Sequence, residues 1–280
     1  IDPACGSGSF LVLAAEYMAR QCGRPVCEII SESIFGLDIS KDNVRRTKEL
    51  LALLALSWGE DPTSIRFHIK SADSLRTDWG RLFQTPDFDY VIGNPPYVNT
   101  HDMPKDTAKY LKESYTTTQK GVFNLFYAFV EKSMTHLAAH GALGFIVPNN
   151  YFTITAAEGL RRYLADNGYL SKIIDFGENM VFSPVRTYNS LLFLTKRRNK
   201  VFLYATMEKT DNMEESLKAL PLLSMPVDKL DPAGWKLLTE AERENIQRIE
   251  SAGTPIKPYI RVGIATLRDN IYIVDGFDPE

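Results

Sequence analysis

A chain of 280 residues with 44% apolar and 24% charged side chains and a net charge of −3 is ordinary for a globular protein, and it is long enough for one large domain and part of another. No apolar run approaches the ~20 residues of a membrane span, three cysteines are too few for a disulfide framework, and the slight acidity lacks the basic excess usual in nucleic-acid binders. Reduced thiols and no visible secretory leader fit a cytoplasmic setting.

The sequence opens on "IDPACGSGSF", a glycine loop whose feeding strand is reduced to Ile1 and Asp2. In a doubly wound fold that strand is usually central, so the expectation is a domain whose first strand and preceding region are truncated. "GSFLVLAAEYMARQ" reads as a helix, "SIFGLDI" as a strand, and "NVRRTKELLALLALSW" as a helix with apolar residues at helical spacing. "IRFHIK" and "FDYVIG" read as strands. "VFNLFYAFVEKSMTHLAA" reads as a helix stopped by Gly141, "ALGFIV" as a strand, and "AEGLRRYLADN" as a helix ending at Gly168. "SKIIDF" and "YNSLLFLTK" close the series. The alternation predicts an α/β fold with a mostly parallel sheet covered on both faces. After residue 205 the sequence turns polar and proline-punctuated. Residues 206–254 read as a linker with the helix "LTEAERENIQRIES", and 255–280 as the start of a second domain.

Three features point at a nucleoside. Gly6 and Gly8 make a tight turn that lets a ligand approach the backbone, but Leu11 stands where a dinucleotide fingerprint has its third glycine, and no Walker lysine follows. Asp38 ends the next strand, where a carboxylate can accept both ribose hydroxyls. Asp73 follows the strand after that, placed to accept from an adenine amine. The following strand leaves through Asn94-Pro95-Pro96-Tyr97. Two prolines end any ladder, yet the same corner offers rigid carbonyl acceptors beside a flat ring, which suits a planar group bearing an NH2.

"DPACGSGSF", "GLDIS", "SADSL" and "GNPPY", in this order, resemble the S-adenosylmethionine-dependent N6-adenine DNA methyltransferases of restriction–modification systems, in particular their gamma-type subgroup. The resemblance runs through "FNLFYAFVEK", "GALGFIVPNNYF" and "MVFSPVRTYNSLLFLTK", about residues 1–205. It implies a Rossmann-like catalytic domain over 1–205 and a target-recognition domain beginning in 255–280. It implies that S-adenosylmethionine is held by Asp2 at its amino group, by Ala4, Gly6 and Gly8 around the methionine portion, by Asp38 and Asp73, and by Phe129 beside its adenine. It also implies that Asn94, Pro95, Pro96 and Tyr97 form the catalytic corner, and that Tyr97 and Phe182 sandwich an adenine flipped out of double-stranded DNA. A nuclease, fused or separate, is compatible with the type II systems in which such chains occur.

Other readings stay open. Protein glutamine and RNA guanine N-methyltransferases use similar corners, though the ~24-residue insertion from Val98 to Gly121 and the further domain favour a large polymeric substrate. A non-catalytic specificity fragment is a third reading. His136 and His140, four apart, lack the glutamate and third ligand of a metal site, so no metal is expected. "TKRRNK" at 195–200 and Arg161-Arg162 are local basic patches for DNA, or simply solvated faces.

Overall fold

The structure is a computed structural model and describes residues 1–180, 188–207 and 212–254. One compact unit runs from Ile1 to Leu237, and a second from Leu238 onward. In chain order the first unit contains α1 (Ser9–Cys22), α2 (Val26–Ser33), β1 (Phe35–Asp38), α3 (Lys41–Ser57), β2 (His68–Ser71), α4 (Trp79–Phe83), β3 (Phe88–Gly93), α5 (Lys105–Ser114), α6 (Leu125–His136), β4 (Leu137–Pro148), α7 (Glu158–Asp166), β5 (Leu170–Met180), β6 (Tyr188–Thr195), β7 (Val201–Thr206), α8 (Met213–Ala219) and β8 (Leu223–Pro226). The second unit, within the described residues, is α9 (Glu240–Ala252), opened by a capping box between Thr239 and Glu242.

Residues 1 and 2 join two sets of strands. Asp2 bridges Gly36 of β1 in parallel. The Ile1 nitrogen donates to the Tyr90 carbonyl of β3 at 2.7 Å, and Ile92 N–H donates back to the Ile1 carbonyl at 2.9 Å. The continuous order is therefore β2, β1, residues 1–2, β3, β4, β6, β5, β7, β8. The α/β expectation holds and most pairings are parallel, with antiparallel members that make the sheet mixed. β6 runs antiparallel to both β4 and β5, and β8 antiparallel to β7. The stretch after residue 205 contributes more than a linker: α8 and the edge strand β8 belong to the first compact unit.

Burial follows the pleat. Leu37 and Ile173 belong to one apolar cluster with Trp79, Phe126, Phe145 and Leu160. The opposite face carries Ile69 in a cluster with Leu11, Ile29 and Leu51, and Ile174 in a small third cluster with Phe176. Adjacent strand residues point to opposite faces, so helices cover both sides. Helix α6 ends at His136, short of the expected stop at Gly141, because Leu137 already pairs with Phe88 of β3. His140 consequently lies on a strand, not one helical turn beyond His136. Among the described residues no helix is long and apolar enough to cross a membrane.

Candidate active site

The carboxyl ends of the parallel strands β1, β2 and β3 lie on one edge of the sheet, and every charged or polar group of interest sits there. Asp2 is 1% exposed, and burial pushes its carboxyl up to about 7. Its Oδ1 accepts from Ala4 N–H at 3.0 Å, which turns the chain into the glycine loop. Gly8 opens α1 at a φ of 92°, and a Cβ on it would stand 2.7 Å from Thr47 Cγ2. Thr47, on α3, donates its hydroxyl to the Gly6 carbonyl at 2.9 Å. A Cβ on Gly6 would meet nothing within 4 Å, so the loop is braced from behind by Thr47 and open at Gly6.

Asp38 ties this loop to the end of β1. Its Oδ2 accepts from Gly6 N–H at 2.9 Å, and its Oδ1 from Ser40 N–H at 2.8 Å and the Asn43 amide at 3.1 Å. A carboxylate has about four acceptor positions, so one remains, on Oδ2. Asp38 as placed can take one further donor; accepting two ribose hydroxyls requires a present partner to leave. Asp73 has its Oδ1 on Leu75 N–H at 3.0 Å and its Oδ2 3.3 Å from Arg76 Nε. Arg76 in turn lies over the Tyr110 ring at 4.0 Å, so the insertion after the proline corner reaches the Asp73 loop.

Gly93 joins the two halves of the site. Its φ is 154°, and a Cβ there would stand 2.6 Å from Asp2 Oδ1. Only a bare backbone fits between the buried carboxylate and the residue that starts the proline corner. Asn94 is exposed and Pro95 buried. The Tyr97 hydroxyl hydrogen-bonds to Asn94 Oδ1 and stands 2.9 Å from the Ile146 carbonyl of β4. The Tyr97 ring meets Phe126 edge-on at 6.2 Å. Burial raises its phenol, so it stays protonated.

The structure thus brings together Asp2, Ala4, Gly6, Gly8, Asp38, Asn94, Pro95, Pro96 and Tyr97, with Asp73 two residues beyond β2 on the same edge. Phe129 is 6% exposed on α6 and sits in the main core cluster. Phe182 lies outside the described residues, as does the stretch 255–280. Sequence reasoning missed Thr47, Asn43 and Arg76. Thr47 had a signal: a polar residue, fully buried, in the apolar stripe Val44, Thr47, Leu51, Leu54.

The two basic patches fall elsewhere. Arg161 is fully buried and donates to the carbonyls of Pro232, Tyr151, Ile154 and Ala233 at 2.6–3.0 Å, so it is a staple. Arg162 pairs with Glu158 at 2.8 Å. Residues 195–200 follow β6, whose Thr195 pairs with Ala142 while Asn189 pairs with Pro148. Gly93, where the corner starts, pairs with Phe145, which pairs with Leu192, so the patch begins three residues along the strand, about 10 Å, from the level of the corner. No group of three or more His, Cys, Asp or Glu that could hold a metal exists among the described residues. Burial pushes the Cys5 thiol up to about 12, which leaves it unreactive.

The residues present suit S-adenosylmethionine. They supply a buried acid for an ammonium, an open glycine backbone, and two acidic acceptors on successive strand ends. Residues 32–182 match the family described as Eco57I restriction-modification methylase. The chain is 32% identical to the Type II restriction enzyme and methyltransferase RM.Eco57I of Escherichia coli, over 97% of this chain and 32% of that protein. It is 24% identical to the Type II methyltransferase M.BstVI of Geobacillus stearothermophilus, over 98% of this chain and 54% of that protein. The chain thus spans about a third to a half of these relatives. A nuclease-deletion mutant of the Type ISP restriction-modification enzyme LlaGI, solved with a DNA substrate mimic, shares the fold: TM-score 0.66 at 15% identity, over 87% of this chain and 25% of that one.

Proposed function

The chain belongs to the Eco57I restriction-modification methylase family, and on that premise we propose that it is the catalytic part of an S-adenosylmethionine-dependent DNA methyltransferase acting on the exocyclic amine of adenine. The observation that carries the reading is the contact at Gly93. The buried Asp2 carboxylate and the proline corner share one wall, with no room between them for a methyl group. A cofactor pinned by Asp2 would therefore lie against the corner that holds the target.

Asp2 would hold the methionine ammonium, Gly6 and Gly8 would line its chain, and Asp38 and Asp73 would accept from ribose and adenine. When bound, the cofactor supplies an electrophilic methyl on a sulfonium. The rest is done by this chain. An adenine amine is a weak nucleophile because its lone pair is delocalised into the ring. Asn94 Oδ1 and the Pro95 carbonyl accept its two N–H groups and favour tetrahedral nitrogen, whose lone pair then points at the methyl group. The prolines fix both acceptors before reaction, so little reorganisation is needed. The surplus proton leaves to solvent, and no basic side chain is required. Tyr97 is anchored at its hydroxyl to the end of β4 and presents a ring beside the target. Phe182 is the proposed opposite face. An adenine stacked in a duplex cannot enter this corner, so the base is extruded.

Transfer of labelled methyl from S-adenosylmethionine to plasmid DNA by the full-length protein, followed by identification of the modified base, tests the proposal. N6-methyladenine supports it. A modified cytosine, or no transfer to DNA, overturns it.

A further inference from the structure

The insertion between Val98 and Leu125 is closed at its neck. Asn99 and Asn124 form an antiparallel bridge, Leu125 N–H donates to the Val98 carbonyl at 2.8 Å, and Thr100 N–H to the Phe123 carbonyl at 3.0 Å. Helix α5 inside it is fixed to the main body by Leu111, 1% exposed, and by the Tyr110 and Tyr115 hydroxyls, which both donate to the Leu75 carbonyl. Its outer side carries Lys105, Lys109 and Lys112, all exposed. Their i, i+4, i+7 spacing puts them on one helical face about 10 Å long. These lysines, with Thr100, His101, Met103 and Glu113, line a concavity of about 600 Å³.

Several basic side chains on or beside other helices are paired, although Lys41 and Arg46 of α3 are exposed with no carboxylate within ion-pair distance among the described residues. Arg20, Arg24, Arg45, Arg162 and Lys218 each face a carboxylate one turn away. On α5 only Lys109 does, loosely, with Glu113 at 3.9 Å. Lys105 and Lys112 have no carboxylate within ion-pair distance among the described residues. The larger concavity, about 840 Å³ beside α7, lacks this excess: it sets Lys120 and Arg162 against Glu158 and Asp166.

Position supplies the partner. Thr100 is three residues from Tyr97, so its Cα lies within about 11 Å of the catalytic corner. A DNA strand carries one phosphate per about 3.4 Å of its axis. The groove therefore begins within the span of the two or three phosphates next to an extruded base, and its lysine row is long enough for about three. We infer that Lys105, Lys109 and Lys112 of α5 form a phosphate clasp for the DNA strand flanking the flipped adenine. The clasp is sequence-independent, because lysine acts on phosphate as a point charge and reads no base. It gives an acidic protein a local cationic contact where the strand is most distorted.

The inference rests on the DNA-methyltransferase reading above. Its test is the KM for plasmid DNA of the full-length protein, measured from about 50 to 200 mM KCl, for wild type, for Lys105→Ala/Lys109→Ala/Lys112→Ala, and for the matching triple arginine variant. Each phosphate contact contributes about 0.9 to the log–log salt slope. The alanine variant should therefore lose roughly 2 to 3 from that slope, with a higher KM at low salt. The arginine variant should keep the wild-type slope, and Arg45→Ala/Arg46→Ala on α3 should not alter it. S-adenosylmethionine affinity, measured by calorimetry, should match wild type in every variant. A wild type that methylates plasmid DNA alongside an alanine variant with an unaltered slope overturns the clasp alone. A wild type that transfers no methyl group to DNA overturns the clasp and the reading beneath it.

Discussion

Two side chains, Asn94 and Asp2, make the division of labour in the site measurable. Asn94 is exposed and, among the described residues, its side chain is tethered through Tyr97, so truncating it disturbs little of the fold. Its proposed contribution belongs to the transition state, where the amine nitrogen becomes tetrahedral. Asn94→Ala should lower turnover on the order of 100-fold or more, while cofactor affinity and melting temperature stay near wild type; single-turnover kinetics and calorimetry on one preparation check this. Asp2 should reveal itself through pH. Burial raises its carboxyl to about 7, and only the ionised form pairs with an ammonium. S-adenosylmethionine binding should therefore tighten as pH rises toward 7, by up to about tenfold per pH unit below that value, and level off above it. For the ligand-free protein the sign is opposite. A carboxyl raised in the folded state favours folding at low pH, and that contribution is lost as pH rises from about 4 through about 7. Asp2→Asn should flatten both profiles. The proposed roles of Asn94 and Asp2 were drawn from the sequence because both residues sit at strand ends in a recognisable order. Thr47 showed only as a polar residue in an apolar stripe and Asn43 not at all, since their partners, the Gly6 carbonyl and the Asp38 carboxylate, lie five or more residues away in the chain and meet them only through folding. The same hidden partners explain why Asp38 has a single acceptor position left.

Among elements, the long periodic helices α1, α3 and α7 could be read within one or two residues at most ends, and α6 could not. "MTHLAAHG" has alanine at helix-favouring positions, but the chain is taken over at Leu137 by pairing with β3, a tertiary demand that propensity does not carry. Gly141 was read as a helix stop. It serves instead as a close approach within the sheet, where a Cβ would stand 2.8 Å from the Asp89 carbonyl. The stretch after residue 205 looked like a linker because its fastenings are backbone groups. Arg161 of α7 donates to Pro232 and Ala233 on one side and to Tyr151 and Ile154 on the other. Trp235 N–H bonds the Phe152 carbonyl at 2.7 Å, and its ring meets Tyr151 at 5.9 Å. Among the described residues no carboxylate forms an ion pair with this buried guanidinium; four carbonyl dipoles hold it. Arg161→Met should leave those carbonyls without donors and cost about 3 kcal/mol or more, seen as a lower urea midpoint. Arg161→Lys should recover little of it, because one ammonium cannot reproduce the planar fork.

At the scale of the molecule, the mixed sheet follows from connection lengths that the sequence displayed but that helix–strand alternation overrode. β5 and β6 are separated by seven residues and β6 and β7 by five, too few for the crossover helix that adjacent parallel strands need, so β6 runs against its neighbours β4 and β5. The consequence for function is that the edge is built in two parts. β1, β2 and residues 1–2 carry the acids and the glycine loop, whereas the proline corner follows β3 and is propped by β4 through Tyr97 and Ile146. Gly93 is a narrow point between them, so under the proposed function cofactor binding and catalysis should be separable on either side and coupled at that residue. Thermal or urea unfolding of full-length variants with S-adenosylmethionine at 100 times its Kd tests the partition. Wild type should gain about 2.7 kcal/mol by mass action, and Asn94→Ala should gain the same while failing in turnover. Asp38→Ala should gain less, having lost both its acceptor and the bond that holds Gly6. Gly93→Ala should fail on both counts. Its new Cβ collides with the Asp2 carboxylate, its backbone is held where side chains are strained by ~1–3 kcal/mol, and the displaced Asp2 can no longer hold the ammonium. A Gly93→Ala protein that keeps normal cofactor stabilisation and normal turnover would show that the two parts of the edge do not meet there.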